Sequence, residues 1–170
     1  ILYGIEMLTC LRVRQLAIIE EVEVEFGPGL NVVTGETGAG KSILVNAMKL
    51  VLGERGRPEL VRSGAQRAEV EAMFDVSTNP LIQKKLEELE VDCDGELVIR
   101  RLIDINGRSR AYLNGRLTPL GQLGSIARGL VDICSQHEHH TLVDPINHLG
   151  YLDAFAGLDL DRIQMTEAYQ

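Results

Sequence analysis

Apolar and polar residues alternate along several stretches of this chain, and each such stretch predicts a half-buried strand. Leu8 to Ile19 is one, and Val22 to Phe26 another, with Glu21, Glu23 and Glu25 on one face and Val22, Val24 and Phe26 on the other. Ala68 to Val76 repeats the pattern through Val70, Ala72, Phe74 and Val76, and Glu96 to Ile105 and Ser109 to Leu113 read as two further strands. After them, Asn114-Gly115 favours the positive φ angles of a tight hairpin turn. Leu30-Asn31-Val32-Val33-Thr34 differs: it is a short apolar, β-branched run that suits a buried parallel strand, and Gly27-Pro28-Gly29 turns the chain into it.

Helical spacing governs other segments. Ile43, Leu44, Ala47, Met48, Val51 and Leu52 recur at that period and Gly53 closes the run. Asn79-Pro80 is a cap with a first-turn proline, followed by Leu81, Ile82, Leu86 and Leu89 on one side of a short helix. Arg55 to Arg67 reads as an irregular loop, Leu117 to Arg128 as a weaker helix, and Leu130 to Ser135 as a short buried strand. Asp144-Pro145 caps a helix with Ile146, Leu149, Leu152 and Phe155 inward, ending near Gly157, and another helix begins at about Leu158. Ile1 to Glu6 precede the first methionine, Met7, and are set aside as a candidate vector-derived leader. The sum is an α/β protein with a mixed sheet and an antiparallel portion.

One octapeptide adds chemistry. Gly35-Glu36-Thr37-Gly38-Ala39-Gly40-Lys41-Ser42 fits the phosphate loop Gly-x-x-x-x-Gly-Lys-Ser/Thr, flanked by a predicted strand and a predicted helix as the motif requires. The glycines let successive N–H groups converge on phosphate oxygens. Lys41 is placed to reach the β- and γ-phosphates of ATP, and the Ser42 hydroxyl to take one Mg²⁺ position. A helix starting at about Lys41 adds its positive end to the same anion site.

Composition narrows the setting. Hydrophobic content of 45% and charged content of 25% are those of a globular domain with a real core, and no apolar run is long enough to cross a membrane. The expected location is the cytoplasm. Cys10, Cys93 and Cys134 are odd in number and widely spaced, which argues against a disulfide framework. The net charge is −8, yet between Leu97 and Arg128 six arginines face one acid, Asp104. That segment either offers a basic face to phosphates, with Arg108 and Arg110 flanking a hairpin toward DNA or a partner, or pairs its arginines with acids elsewhere. Cys134, His137, His139 and His140 raise a zinc reading, but a closed zinc site draws on two separated ligand pairs and no second cluster exists.

A working phosphate-loop ATPase also needs an acid at the end of a second core strand. Leu130-Val131-Asp132 is too short and Leu97-Val98-Ile99 runs into arginines. The acid is therefore expected on a part of the polypeptide outside these residues. A self-contained small kinase or transporter ATPase is the alternative, and the same missing acid counts against it.

The opening strand pair, Gly35 to Ser42, Arg100-Arg101 with Gly107-Arg108-Ser109 and Leu113-Asn114-Gly115, and Gln136-His137-Glu138-His139 stand in an order that resembles the N-terminal half of an SMC-like ATPase head. Within that group the chain resembles the RecN family of bacterial DNA repair proteins, through the phosphate loop and Gln136-His137-Glu138-His139 followed by Leu142, Asp144-Pro145, His148-Leu149 and Leu152-Asp153. It departs from the family at Cys134-Ser135 and at His140.

The resemblance implies an ABC-type head whose two halves come from the two ends of one polypeptide, joined by a long coiled coil. It implies that residues 7–157 are the N-terminal half and that residues 158–170 lead toward the coiled coil. ATP and Mg²⁺ are then sandwiched between two heads of a homodimer. Gln136 becomes the residue that senses Mg²⁺ and the γ-phosphate, Lys41 its partner in catalysis, and the C-terminal half supplies the acid. The implied role is in double-strand break repair and recombination, on double-stranded DNA or DNA ends in the nucleoid, with no membrane.

Overall fold

The alternating segments form one antiparallel sheet. The computed structural model describes residues 7–35, 40–127, 130–131, 148–156, 158, 165 and 168–169. Its strands are β1 (Met7–Leu16), β2 (Ile19–Glu25), β3 (Arg67–Asp75), β4 (Glu96–Asp104), β5 (Ser109–Leu113) and β6 (Arg116–Thr118). They lie in the order β2-β1-β3-β4-β5-β6, each antiparallel to its neighbour. β6 is a finding: the sequence read a helix from Leu117, but the Asn114-Gly115 turn, with φ of 44° and 82°, folds three residues back onto β5 before α3 (Leu120–Ala127) starts.

The sheet's two faces are set by parity. On the inner face Leu11 and Val13 of β1, Val70, Ala72 and Phe74 of β3, Leu97, Ile99 and Ile103 of β4, and Ala111 and Leu113 of β5 are all buried. On this face pack α1 (Lys41–Val51), through Ala47, Leu50 and Val51, and α3, through Leu123 and Ile126. Burial of each such side chain contributes about 1.5–3 kcal/mol. α2 (Pro80–Glu88) begins at Asn79, whose side-chain oxygen accepts the Ile82 N–H at 2.9 Å, and buries Ile82 and Leu86.

The outer face carries charge. Arg12 of β1 pairs with Glu23 of β2 at 2.8 Å and with Glu71 of β3 at 3.4 Å, and Arg14 pairs with Glu21 at 2.8 Å. Arg100 of β4 reaches Glu69 at 2.6 Å and Glu71 at 4.0 Å.

The expected parallel strand at 30–34 is a correction. These residues carry no strand hydrogen bonds; Leu30 is 90% exposed, and Val32 and Val33 are exposed too. A strand exists only where a neighbour completes its ladder, and the described sheet is complete without this segment. The 55–67 loop contains a single 3-10 turn at Pro58–Leu60.

The chain divides into two units, Glu6–Val131 and a second made of Ile1–Ile5 with Asp132–Gln170. In the second, α4 (His148–Ala156) is described, and its Leu149, Leu152 and Phe155 are exposed rather than inward as expected, because no described element of that unit covers them. The strand expected to Ser135, the cap at Asp144 and most of 158–170 lie outside the described residues.

Candidate nucleotide site

α1 starts at Lys41, with Gly40 as its N-cap. The Ile43 and Leu44 N–H groups both bond the Gly40 carbonyl at 3.0 Å, so the earlier amides of Lys41 and Ser42 are the helix's orphan donors. Gly40 supplies no side-chain cap and the first turn carries no acid, which leaves that positive end open to an anion. Lys41 is half-buried and donates from Nζ to the Gly35 carbonyl at 2.5 Å, which ties the ammonium to the first residue of the motif. The Ser42 side chain is exposed. Glu36, Thr37, Gly38 and Ala39 lie outside the described residues, as does Gln136.

The other end of α1 is held by a residue that sequence reasoning grouped with the basic segment. Arg101 is 0% exposed and sits on the inner face of β4. Its Nη1 donates to the Leu50 carbonyl and, at 3.0 Å, to the Glu54 carbonyl, while Nη2 donates to Ser109 Oγ at 2.9 Å. Among the described residues its Nε has no partner and no carboxylate pairs with the guanidinium. Burial alone pushes its pKa down to about 10, well below that of an ordinary guanidinium. A cation at the C-terminal end complements the helix dipole and satisfies carbonyls that lack intrahelical donors. Parity carried the signal: in Leu97-Ile99-Arg101-Ile103 the arginine holds an inward position.

The remaining arginines are mostly engaged. Arg100 pairs with Glu69, Arg110 with Asp104 at 2.9 Å, and Arg116 with Glu90 at 3.1 Å. Arg62 donates to the Ile18 carbonyl at 2.8 Å. Arg108 is exposed and its guanidinium makes no hydrogen bond or ion pair among the described residues, and Arg55 and Arg57 are exposed as well. No group of three or more metal-ligating side chains exists among the described residues, and no described helix is long and apolar enough to cross a membrane. The four zinc candidates from Cys134 to His140 lie outside the described residues.

A glycine-led helix start with a lysine at its first position, packed on a sheet, marks the class as a phosphate-loop nucleotide-binding domain. The chain belongs to the AAA domain family, whose family model matches residues 10–114. Its relatives are more specific, and they are RecN proteins. It is 46% identical over 158 residues to the DNA repair protein RecN of Halalkalibacterium halodurans, covering 92% of this chain and 28% of that protein. It is 41% identical over 167 residues to RecN of Bacillus subtilis, covering 96% of this chain and 29% of the relative. The chain thus spans less than a third of the length of the curated relatives it matches.

Solved structures agree on the fold. A chain from work on ATP-driven dimerization and DNA-stimulated activation of SMC ATPases superposes with a TM-score of 0.62 at 23% identity, covering 87% of this chain and 98% of that one. An Smc head domain with a coiled coil and joint from Pyrococcus yayanosii gives 0.63 at 21% identity, covering 96% of this chain and 35% of that one.

Proposed function

We propose that this chain is the ATP-binding, N-terminal part of an SMC-like ATPase head acting in DNA double-strand break repair and recombination. The observation that carries the proposal is the start of α1: orphan amides at Lys41 and Ser42, no acid in the first turn, and the Lys41 ammonium tied to the Gly35 carbonyl. These groups fit the triphosphate of ATP. Gly35 to Ser42 cradle the phosphates, Lys41 neutralises the β- and γ-phosphate charge, and the Ser42 hydroxyl with Gln136 holds Mg²⁺. Held there, the ion would supply positive charge against that developing on the phosphates.

Two observations support a missing half. The relatives are more than three times as long as the matched segment. Leu30, Val32 and Val33 present apolar side chains with no neighbouring strand among the described residues. The C-terminal half of the same polypeptide is the proposed neighbour, bringing the catalytic acid, with residues 7–157 as the N-terminal half and residues 158–170 leading toward a coiled coil. Two such heads close around ATP as a homodimer. Arg108 and Arg110 are offered to DNA or to the second head. The proposed setting is the nucleoid in the cytoplasm.

The test is Mg-ATP binding and steady-state hydrolysis by this chain alone, with Lys41→Ala as the blank. Binding that Lys41→Ala abolishes, without turnover in a folded sample, is the expected result. Lys41-dependent turnover would overturn the half-head reading in favour of a self-contained ATPase, and retained affinity in Lys41→Ala would overturn the site.

A further inference from the structure

Two arginines grip one carboxylate, with a third nearby, at the end of the sheet where β3 begins and β4 ends. Arg67 stands opposite Asp104 in the β3–β4 register, and Arg110 follows in β5. Arg67 Nε donates to Asp104 Oδ1 at 2.6 Å and Arg110 Nη2 donates to Oδ2 at 2.9 Å. Asp104 is only 8% exposed, whereas the side chains of Arg67 and Arg110 are 48% and 41% exposed. The carboxylate therefore grips one edge of each guanidinium; Arg110 also meets the Tyr112 side chain, and both guanidinium groups keep N–H groups toward solvent. A guanidinium has five donors in a fixed fork, so most remain available.

Arg108 completes the group from the β4–β5 hairpin. Its backbone is fixed: the Asp104 N–H bonds its carbonyl at 2.8 Å, and its own N–H reaches Asn106 Oδ1 at 3.2 Å. Its side chain is unengaged. With Gln66 and Asn106 these residues line one open concavity, which carries a local charge of +2 on a chain of −8.

We propose that this clamp binds a backbone phosphate of DNA, without base readout, on the face of the sheet opposite α1. The proposal rests on the DNA-repair reading above and names the atoms that meet the polymer. Exposed ion pairs contribute little stability by themselves. What the buried Asp104 does is immobilise two forks in advance, so that less rotamer freedom is lost when a phosphate docks. Guanidinium forks match phosphate oxygens in pairs. A phosphate oxyanion could also come from a small anion or nucleotide. Among the described residues the site has no backbone amide cradle of the kind that encloses such ligands, and it opens on the outer face at the ends of β3 and β4, which favours a polymer that passes over it.

The experiment uses the intact protein and a double-stranded oligonucleotide, with binding followed by fluorescence anisotropy across about 50–200 mM salt. Arg67→Gln/Arg108→Gln/Arg110→Gln should lower the slope of log affinity against log salt by about 1, the value for one phosphate contact, and Arg108→Gln by part of that, equally for unrelated sequences. Mg-ATP affinity should not change, since α1 lies on the other face. Arg108→Gln touches no partner, so it tests the site even if the triple variant fails to fold.

An unchanged slope while the wild type binds DNA would overturn the clamp and leave the DNA-repair reading standing. Absence of DNA binding by the wild type would overturn both. Competition by inorganic phosphate that the variants abolish, with the DNA slope unchanged, would make this a small-anion pocket and overturn the proposal.

Discussion

Replacing Arg101 offers the sharpest test of how the phosphate-loop helix is anchored. Arg101→Met keeps much of the volume and removes the charge and three hydrogen bonds, those to Leu50, Glu54 and Ser109. Bonds from a charged donor are each worth roughly 1.5–3 kcal/mol, so the gross loss is about 5–9 kcal/mol. Against this, burial disfavours the charged form: the drop from an ordinary guanidinium to about 10 corresponds to about 3 kcal/mol at ~1.4 kcal/mol per pKa unit, which the methionine avoids. The net expectation is a destabilisation of about 2–6 kcal/mol, a large part of the ~5–15 kcal/mol available to a domain.

Arg101→Lys sharpens the comparison. An ammonium keeps the cost of a buried charge yet cannot span two carbonyls and a hydroxyl at once, so it should be at least as damaging as methionine despite conserving charge. Urea denaturation followed by circular dichroism, with the slope held common to all three proteins, measures both differences. Methionine within about 0.5 kcal/mol of wild type, or lysine restoring full stability, would refute the account, because either would mean the fork geometry contributes nothing.

Other consequences are more local. Gly53 has φ of +100° and an added Cβ would lie 3.2 Å from the Gly124 Cα, so Gly53→Ala should cost about 2 kcal/mol or more in the same denaturation assay. Asn79→Ala removes the cap on α2 and should lower stability by about 1 kcal/mol; no change would mean that Ile82's amide finds another acceptor. The hydrogen bond from Arg67, then that from Arg110, hold the Asp104 carboxyl below its ordinary pKa. Its contribution is thus complete above the unfolded value of about 4 and is lost as pH falls through the lower folded value. Urea midpoints at acid pH should show this loss in wild type and less of it in Asp104→Asn.

Much of the sheet was legible because period-2 alternation is a direct record of a one-sided core. Ser109–Leu113 matched its predicted bounds, and α1 began at Lys41 as read. The 30–34 segment misled for a physical reason: a β-branched apolar run reports a wish to be buried in a sheet, not the presence of a neighbour. β6 escaped notice because three residues are too few to show alternation. Arg101 was assigned by charge when its position in the alternation placed it inside. The pairing of Arg67 and Arg110 on Asp104 joins residues far apart in sequence, and no local pattern records it.

The outer face of the sheet also contains instructions for assembly. Reading across it, β2 presents Glu21 and Glu23, β1 Arg12 and Arg14, β3 Glu69 and Glu71, and β4 Arg100, so acid and base alternate strand by strand. Each contact is worth at most about 1 kcal/mol. Exchanging two of these neighbours would set like charges side by side, and slipping one strand by a residue would drive its charges into the apolar layer. The face thus discriminates against wrong strand orders and wrong registers at once, a selection among competing folds that its small contribution to stability would not reveal.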